Sequence, residues 1–250
     1  MKKQKKNLFT VIGINNVSAV LQADRFHVSF IDLLAGSRAE KDTQLMDLIQ
    51  ATSSQFRVYD KSGFFQKYPE GRTQGVAITF SGKIVEDDIP LFDESKDVCL
   101  LALDQIEDPQ NFGQIIRTAE CAGIDGILFP RHHSSSVSDT VIQVSQGAFI
   151  NMPLIEVTNL KNSFSELKKD GFWIAGLENT IDAKPWHKIN YTGKMVIVVG
   201  SEGKGIREKV LEACDFKATI PMQGVTNSLN VSAAVSAITF ERLRQIQEKN

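Results

Sequence analysis

Three short stretches carry residue types that could do chemistry. "DPQNFGQIIRTAECAG" places the amide of Asn111 and the guanidinium of Arg117 around one strand-to-helix junction, with Gly113 between them. An amide and a cation at such a junction suit an anion or a ribose phosphate. "VVGSEGKGIREKV" follows an apolar run with Gly200, Gly203 and Gly205, and carries Glu202 among them. The spacing G-x-x-G-x-G is neither the dinucleotide-binding G-x-G-x-x-G nor the phosphate loop G-x-x-x-x-G-K-[ST]. A carboxylate there would repel a pyrophosphate and suits a ligand with a positive charge. "IPMQGVTNSLNVSAAVSAI" brings Ile220 and Met222 to one rim. It then sets Ser228 and Asn230 at a helix start, ahead of Ala233, Ala234 and Ala237.

Each feature also has a plainer reading. Asn111 can cap a helix, and so can Asn227 or Ser228. Arg117 lies about 200° around its helix from Ile115, where a charge is simply solvated. Glu202 can complement the dipole of the helix that follows it. The alanines can serve close packing and nothing else. Residue type alone leaves both readings open at every one of these positions.

The elements that must position these residues are legible. Residues 8–85 alternate as a small α/β unit: "VIGINNVSAVLQ" turns into a helix and "FHVSFIDLLAG" is a strand. "KDTQLMDLIQATSS" is helical by the spacing of Leu45, Leu48 and Ile49, while "FRVYD" and "QGVAITFSGKI" are strands. The acidic, proline-bearing "EDDIPLFDESKD", residues 86–97, reads as a linker. Beyond it, residues 98–250 run through five or six apolar strands alternating with helices. Among them are "VCLLALDQI", "GILFP", "PLIEV", "FWIAGLE", "KMVIVVG" and "KATIP". Near-continuous apolar strands separated by helices imply a mostly parallel sheet covered on both faces. Ligands of such sheets gather beyond the carboxyl ends of the strands, where all three stretches fall.

Composition narrows the partners. With a formal net charge of -2, any contact to nucleic acid must come from local basic patches, such as the start "MKKQKK" in a basic tail at 1–7. No apolar run reaches the length of a membrane span, and no signal or transit pattern opens the chain. Three isolated cysteines argue for a reducing compartment, and the four histidines show no metal-ligand spacing. The expectation is a cytoplasmic, metal-free protein.

Taken together, the three stretches resemble the signature motifs of the SpoU (TrmH) family of RNA ribose 2'-O-methyltransferases. Those motifs read N-x-G-x-I-x-R-T-A, G-x-E-G-x-G-[IM]-R and I-P-M-x-G-x-x-x-S-L-N-V-S, and all three occur here in order. The N-terminal part, with "GINNVSAVL" and "QGVAI", is similar to the small L30e-like RNA substrate-binding domain of bacterial rRNA members, although Asn15-Asn16 replaces a more usual His-Ala. The resemblance implies an α/β methyltransferase domain whose C-terminal segment forms a trefoil knot. It implies S-adenosyl-L-methionine as cofactor, held by Gly200, Ile220 and Leu229 with Leu177, Gly203 and Met222 beside them.

The resemblance also makes Arg117 the activator of the ribose hydroxyl, with Asn111 orienting it or the ribose. Glu202 would organise the pocket or bind RNA groups, while Ser228 and Asn230 would hold the ribose and the loop. A homodimer is implied, with sites at its interface. The auxiliary N-terminal domain and the guanosine-specific branch point to a guanosine of 23S rRNA, or of a large-subunit precursor, as substrate. The alternatives are a tRNA ribose methyltransferase and a non-catalytic RNA-binding or ribosome-assembly factor.

Overall fold

A computed structural model describes residues 8–52, 54–69, 72–93, 96–180 and 182–249. The basic tail expected at 1–7 lies outside the described residues. The chain divides into two compact units, one holding the residues up to Ile84 together with Ser138–Ile150, the other Val85–Val137 with Asn151–Asn250.

The first unit is built on β1 (Leu8–Ile12), α1 (Ile14–Gln22), β2 (His27–Leu34), α2 (Thr43–Ala51), β3 (Gln55–Tyr59), α3 (Lys61–Lys67) and β4 (Val76–Ser81). The sheet order is β1-β4-β2-β3. β4 is antiparallel to both its neighbours, and β2 is parallel to β3. Alternation sends Phe9 and Val11 of β1, and Ile31 and Leu33 of β2, into a core shared with Val17, Val20, Leu45 and Ile49 of the helices. Asp42 caps α2 by accepting from Leu45 N at 3.0 Å. Asp60 does the same for α3 through Gly63 N at 2.7 Å. β1 is a strand that the sequence reading passed over, because five residues ending at Gly13 blend into the turn before α1.

The second unit comprises β5 (Val85–Glu86), β6 (Val98–Asp104), α4 (Pro109–Cys121) and β7 (Gly126–Pro130). After the excursion of α5 (Asp139–Ser145) into the first unit come β8 (Leu154–Val157), α6 (Leu160–Lys169), β9 (Trp173–Leu177) and β10 (Lys184–Pro185). The chain ends with β11 (Lys194–Gly200), α7 (Glu208–Leu211), β12 (Phe216–Thr219) and α8 (Val231–Lys249). Eight strands stand in the order β10-β12-β9-β11-β6-β7-β8-β5, every pair parallel. Every residue of β6 and β7 is buried, as expected of strands covered on both faces.

The central pair, β6 with β11, runs in register from Val98 opposite Lys194 to Asp104 opposite Gly200. Val199 stands opposite Leu177, and Leu177 opposite Ala218. The carboxyl ends of β6, β11, β9 and β12 therefore meet along one rim. β11 enters this centre late in the chain, slotting between β6 and β9, which precede it in sequence.

Several local expectations are corrected. α4 is capped by Asp108, which accepts from Gln110 N at 2.8 Å, with Pro109 at the first helical position. Asn111 thus sits inside the first turn, buried, and is not the cap. α8 begins at Val231, and its start is capped by Asn230, whose Oδ1 accepts from Ser232 N at 2.9 Å, not by Asn227 or Ser228. Its buried face is Val231, Ser232, Val235, Ile238, Thr239 and Arg242. The alanines lie off that face, and Ala233 is exposed. α7 is a single turn because Asp215 draws the chain back to the sheet, where its carboxylate accepts from Ile174 N at 2.9 Å.

The expected boundaries also differ from the two units. β5 pairs with β8, so the segment read as a linker at 86–97 begins inside a strand. Ser138–Ile150 joins the first unit although it lies within 98–250. Its Gln143 side chain explains why. The amide Oε1 accepts from Ile12 N at 2.7 Å and Nε2 donates to Ile12 O at 2.9 Å, so one side chain occupies the open edge of β1 as a neighbouring strand would.

Among the described residues no helix is long and apolar enough to cross a membrane, and no group of three or more His, Cys, Asp or Glu side chains could hold a metal. Burial pushes the thiols of Cys99 and Cys214 up to about 12. At about pH 8 both stay protonated and weakly nucleophilic. Iodoacetamide is expected to spare them in the native protein and to reach them only after unfolding, as read by mass spectrometry of the alkylated chain.

Candidate functional site

The rim of strand ends opens into a cleft of about 560 Å³. Its walls are the segments after β9, β11 and β12. Gly200, Gly203, Ile220, Met222, Leu177 and Leu229 all line it, and so do Glu202, Ser228 and Asn230. Ala234, in the first turn of α8, closes one side.

Gly200 is dictated by the loop itself. A Cβ there would stand 2.0 Å from the carbonyl carbon of Gly205 and 2.2 Å from Ile206 N, both backbone atoms. The loop folds back on β11 so closely that Ser201 pairs with Gly205, whose N–H donates to Ser201 O at 2.9 Å. Gly205 has φ +68, and a Cβ on it would meet the Glu178 carboxylate at 2.2 Å. That carboxylate accepts from Ile206 N at 2.8 Å and from Asn179 N at 3.1 Å, tying the end of β9 to the glycine loop.

Glu202 is the hub of the polar side. Its Oε1 accepts from Asn230 Nδ2 at 2.5 Å, from Asn111 Nδ2 at 3.3 Å and from Val231 N at 3.3 Å. Asn230 Nδ2 also donates to Asn111 Oδ1 at 3.0 Å. One carboxylate therefore joins the three sequence stretches, and it faces the N-terminus of α8, the positive end of that helix. The expectation that Glu202 complements the helix directly after it is corrected, because its carboxylate meets the start of α8 and not the short α7. Ser232 Oγ extends the network to Gln114 Oε1 at 2.9 Å. A smaller cavity of about 190 Å³ adjoins the cleft and shares Ser201, Glu202 and Val231 with it. Asn111 and Lys204 line the smaller cavity only.

Arg117 stands apart. It is exposed, lines neither cavity, and no hydrogen bond or ion pair joins it to another described residue. It lies six positions beyond Asn111, about 9 Å along the helix axis and on a different face. Within one chain the structure brings together Asn111, Glu202, Ser228 and Asn230 with the six cleft residues, and leaves Arg117 outside.

Sequence reasoning passed over Asp104, Arg207 and Glu178. Asp104 is fully buried at the carboxyl end of β6, accepting from Arg207 N and Nε, each at 2.8 Å, with Arg207 Nη2 at 2.6 Å. This pair anchors the exit of the glycine loop to the sheet centre. The signal was present, since Arg207 closes the second motif and Asp104 is the first charge after an apolar run. Asp104→Ala is expected to cost about 2–3 kcal/mol, the low side of a broken buried pair because Arg207 is 42% exposed and rehydrates. That corresponds to a fall of about 5–10 °C in Tm by thermal unfolding.

The sequence matches the SpoU rRNA Methylase family over residues 99–240. The chain belongs to the SpoU family.

A relative spanning nearly the whole molecule is the 23S rRNA (guanosine-2'-O-)-methyltransferase RlmB of Shewanella oneidensis, 34% identical over 248 residues, 98% of this chain and 99% of that one. A Staphylococcus aureus protein of the TrmH tRNA/rRNA methyltransferase family is 42% identical over 146 residues; the match spans only 58% of its length and 58% of this chain. The fold is also that of the SpoU methyltransferase AviRb from Streptomyces viridochromogenes, solved in complex with the cofactor AdoMet. That structure has a TM-score of 0.79 and 20% identity, covering 96% of this chain and 91% of that chain. The three SpoU motifs map onto α4, onto the end of β11 with its glycine loop, and onto the path from β12 to the start of α8. These are the three segments that Glu202 ties together.

Proposed function

We propose that this SpoU chain is an S-adenosylmethionine-dependent RNA ribose 2'-O-methyltransferase acting on a guanosine of 23S rRNA. The observation that carries the reading is that Glu202 ties all three motifs together beside one cleft at the carboxyl ends of a parallel sheet. The cleft fits the cofactor in size and in chemistry. Its volume falls in the range of small-molecule sites, with Leu177, Ile220 and Leu229 as apolar walls for a purine. The buried Ser201 Oγ, which has no partner among the described residues, is available to a bound polar group. When bound, S-adenosylmethionine supplies a methyl group on a positively charged sulfur.

The residues of the chain then have to position a hydroxyl and ease the loss of its proton. A 2'-hydroxyl that takes that methyl group must give up its proton, so the chain would hold the oxygen in place and stabilise the charge that develops on it. Glu202 holds Asn111 and Asn230 rigidly beside the cleft, and these amides orient the ribose with Ser228. Arg117 stabilises the developing alkoxide, and the hydroxyl proton passes to a neighbouring substrate phosphate. A guanidinium is a poor base but a durable cation.

The isolation of Arg117 within one chain is accounted for by a homodimer in which the partner subunit's Arg117 completes the site. The knotted passage of the C-terminal segment, the RNA-binding role of the first unit and a cytoplasmic location belong to the same proposal. RNA is preferred over DNA because the nucleophile is the 2'-hydroxyl. The test is incubation with labelled S-adenosylmethionine and unmodified 23S rRNA or tRNA, followed by mapping of the modified nucleotide. Label on a guanosine ribose of 23S rRNA is expected. Label on tRNA would move the substrate. Absence of transfer with intact RNA binding would leave a non-catalytic binder.

A further inference from the structure

The first unit carries a side-chain group that the cleft does not use. Asp32, in the middle of β2, is fully buried, and three donors converge on it. Arg57 of β3 approaches Oδ1 with Nε at 2.9 Å and Nη2 at 2.8 Å, while Lys67 Nζ and Tyr68 Oη, the latter at 2.6 Å, reach Oδ2. A buried carboxylate of this kind adds little net stability, and an apolar residue of similar volume commonly serves a core as well or better. Its effect here is to fix two cations. The Arg57 guanidinium lies over the Phe30 ring, 4.3 Å from the centroid. Lys67 Nζ lies over Phe30, Tyr68 and Tyr59 at 4.9, 5.3 and 5.5 Å. Both cations reach solvent, with side chains 46% and 36% exposed.

We propose that Phe30, Arg57 and Lys67 form a docking platform for one base and its phosphate in a single-stranded segment of RNA. The proposal rests on the reading of the chain as an RNA-modifying enzyme. One face of the Arg57 guanidinium is backed by Phe30, and its Nε–Nη2 edge is taken by Asp32. The Tyr59 ring also lies 5.9 Å from that guanidinium, and the part of the side chain that stays open, 46% of it exposed, is a flat cation whose plane is already set. Bases stack on guanidinium planes as they do on aromatic rings, and holding the plane beforehand removes the ordering cost of a free arginine. Two cations against one carboxylate leave one positive charge at the edge of the platform, complementary to a phosphate. The occupant is a nucleotide and not an acidic peptide because the accessible feature is a plane, which a carboxylate does not need.

The test uses the full chain and two labelled probes, a short fluorescein-labelled oligoadenylate and an abasic ribose-phosphate oligomer of equal length, read by anisotropy. Arg57→Lys keeps the charge but loses the plane. It is expected to weaken oligoadenylate binding about tenfold while leaving the abasic oligomer and S-adenosylmethionine binding unchanged. Equal affinity of the native protein for both probes would overturn the platform, as would an Arg57→Lys variant that binds oligoadenylate normally. Should that variant fail to fold, phenylglyoxal modification of the native protein decides. Oligoadenylate is expected to protect Arg57, and modification undiminished by oligoadenylate would overturn the proposal. Loss of methyl transfer to all RNAs with base discrimination intact would sink the enzymatic reading and leave the platform standing.

Discussion

Arg117→Ala is expected to lower methyl transfer by a factor of about 10²–10³ while leaving S-adenosylmethionine affinity within about twofold of the native value. The split follows from position. Arg117 lines neither cavity, so its removal takes nothing from the cofactor cleft. On the proposed mechanism, what would be lost is charge stabilisation at the attacking oxygen, an interaction made in the transition state alone. Arg117→Lys keeps the charge but not the planar fork, and should fall between the two.

Because the proposed site joins one subunit's cleft to the partner subunit's Arg117, mixing Arg117→Ala with a Glu202→Ala variant should restore turnover that neither has alone. Single-turnover assays and calorimetry separate the two quantities. Near-native turnover in Arg117→Ala removes the residue from the mechanism, and failure of the mixture to recover removes the shared site.

Gly200→Ala should abolish detectable cofactor binding, a loss above about 100-fold, because the added carbon has nowhere to go. Its neighbours would be the backbone of Gly205 and Ile206 at 2.0–2.2 Å, and neither can yield without opening the loop. The opened loop carries Glu202 away from Asn111, Asn230 and the start of α8, so the damage reaches the whole polar side. Gly203→Ala is the control. Chain neighbours aside, no atom of the described residues lies within 4 Å of a Cβ there, and the penalty is that of φ +81 on a residue with a side chain, about 1–3 kcal/mol. Calorimetric titration of both variants should show binding lost in the first and weakened in the second. Equal behaviour would mean that the loop is not held as described.

The large elements were legible because the strands of the second sheet are buried on both faces and read as apolar runs, punctuated by helices with clear periodicity. The cleft was legible for a related reason. Residues at the carboxyl ends of such strands have one neighbourhood available to them, and the three motifs fall there. What escaped the sequence depends on partners distant in the chain. Asn111 looks like a cap until Asp108 is seen to accept from Gln110 N, and Gln143 is one polar residue on a helix until its amide meets Ile12. β5 and β10 are two residues each, too short for any period to register. The spacing of Val231, Val235 and Ile238 marks one face of α8, and those residues do form its buried face, with the alanines lying beside it. Arg117 carried the right residue type, but its separation from the cleft is a fact of three dimensions.

The place of β11 in the middle of the second sheet has a consequence during synthesis. A nascent chain emerging from the ribosome presents β6 long before, and β9 shortly before, the strand that must lie between them exists. Both are rich in apolar residues, and until Lys194–Gly200 leaves the exit tunnel each has an unsatisfied edge. The sheet can therefore close only near the end of translation, after a long-range pairing whose loop-closure cost retards folding. That delay leaves the partly made chain dependent on protection from aggregation.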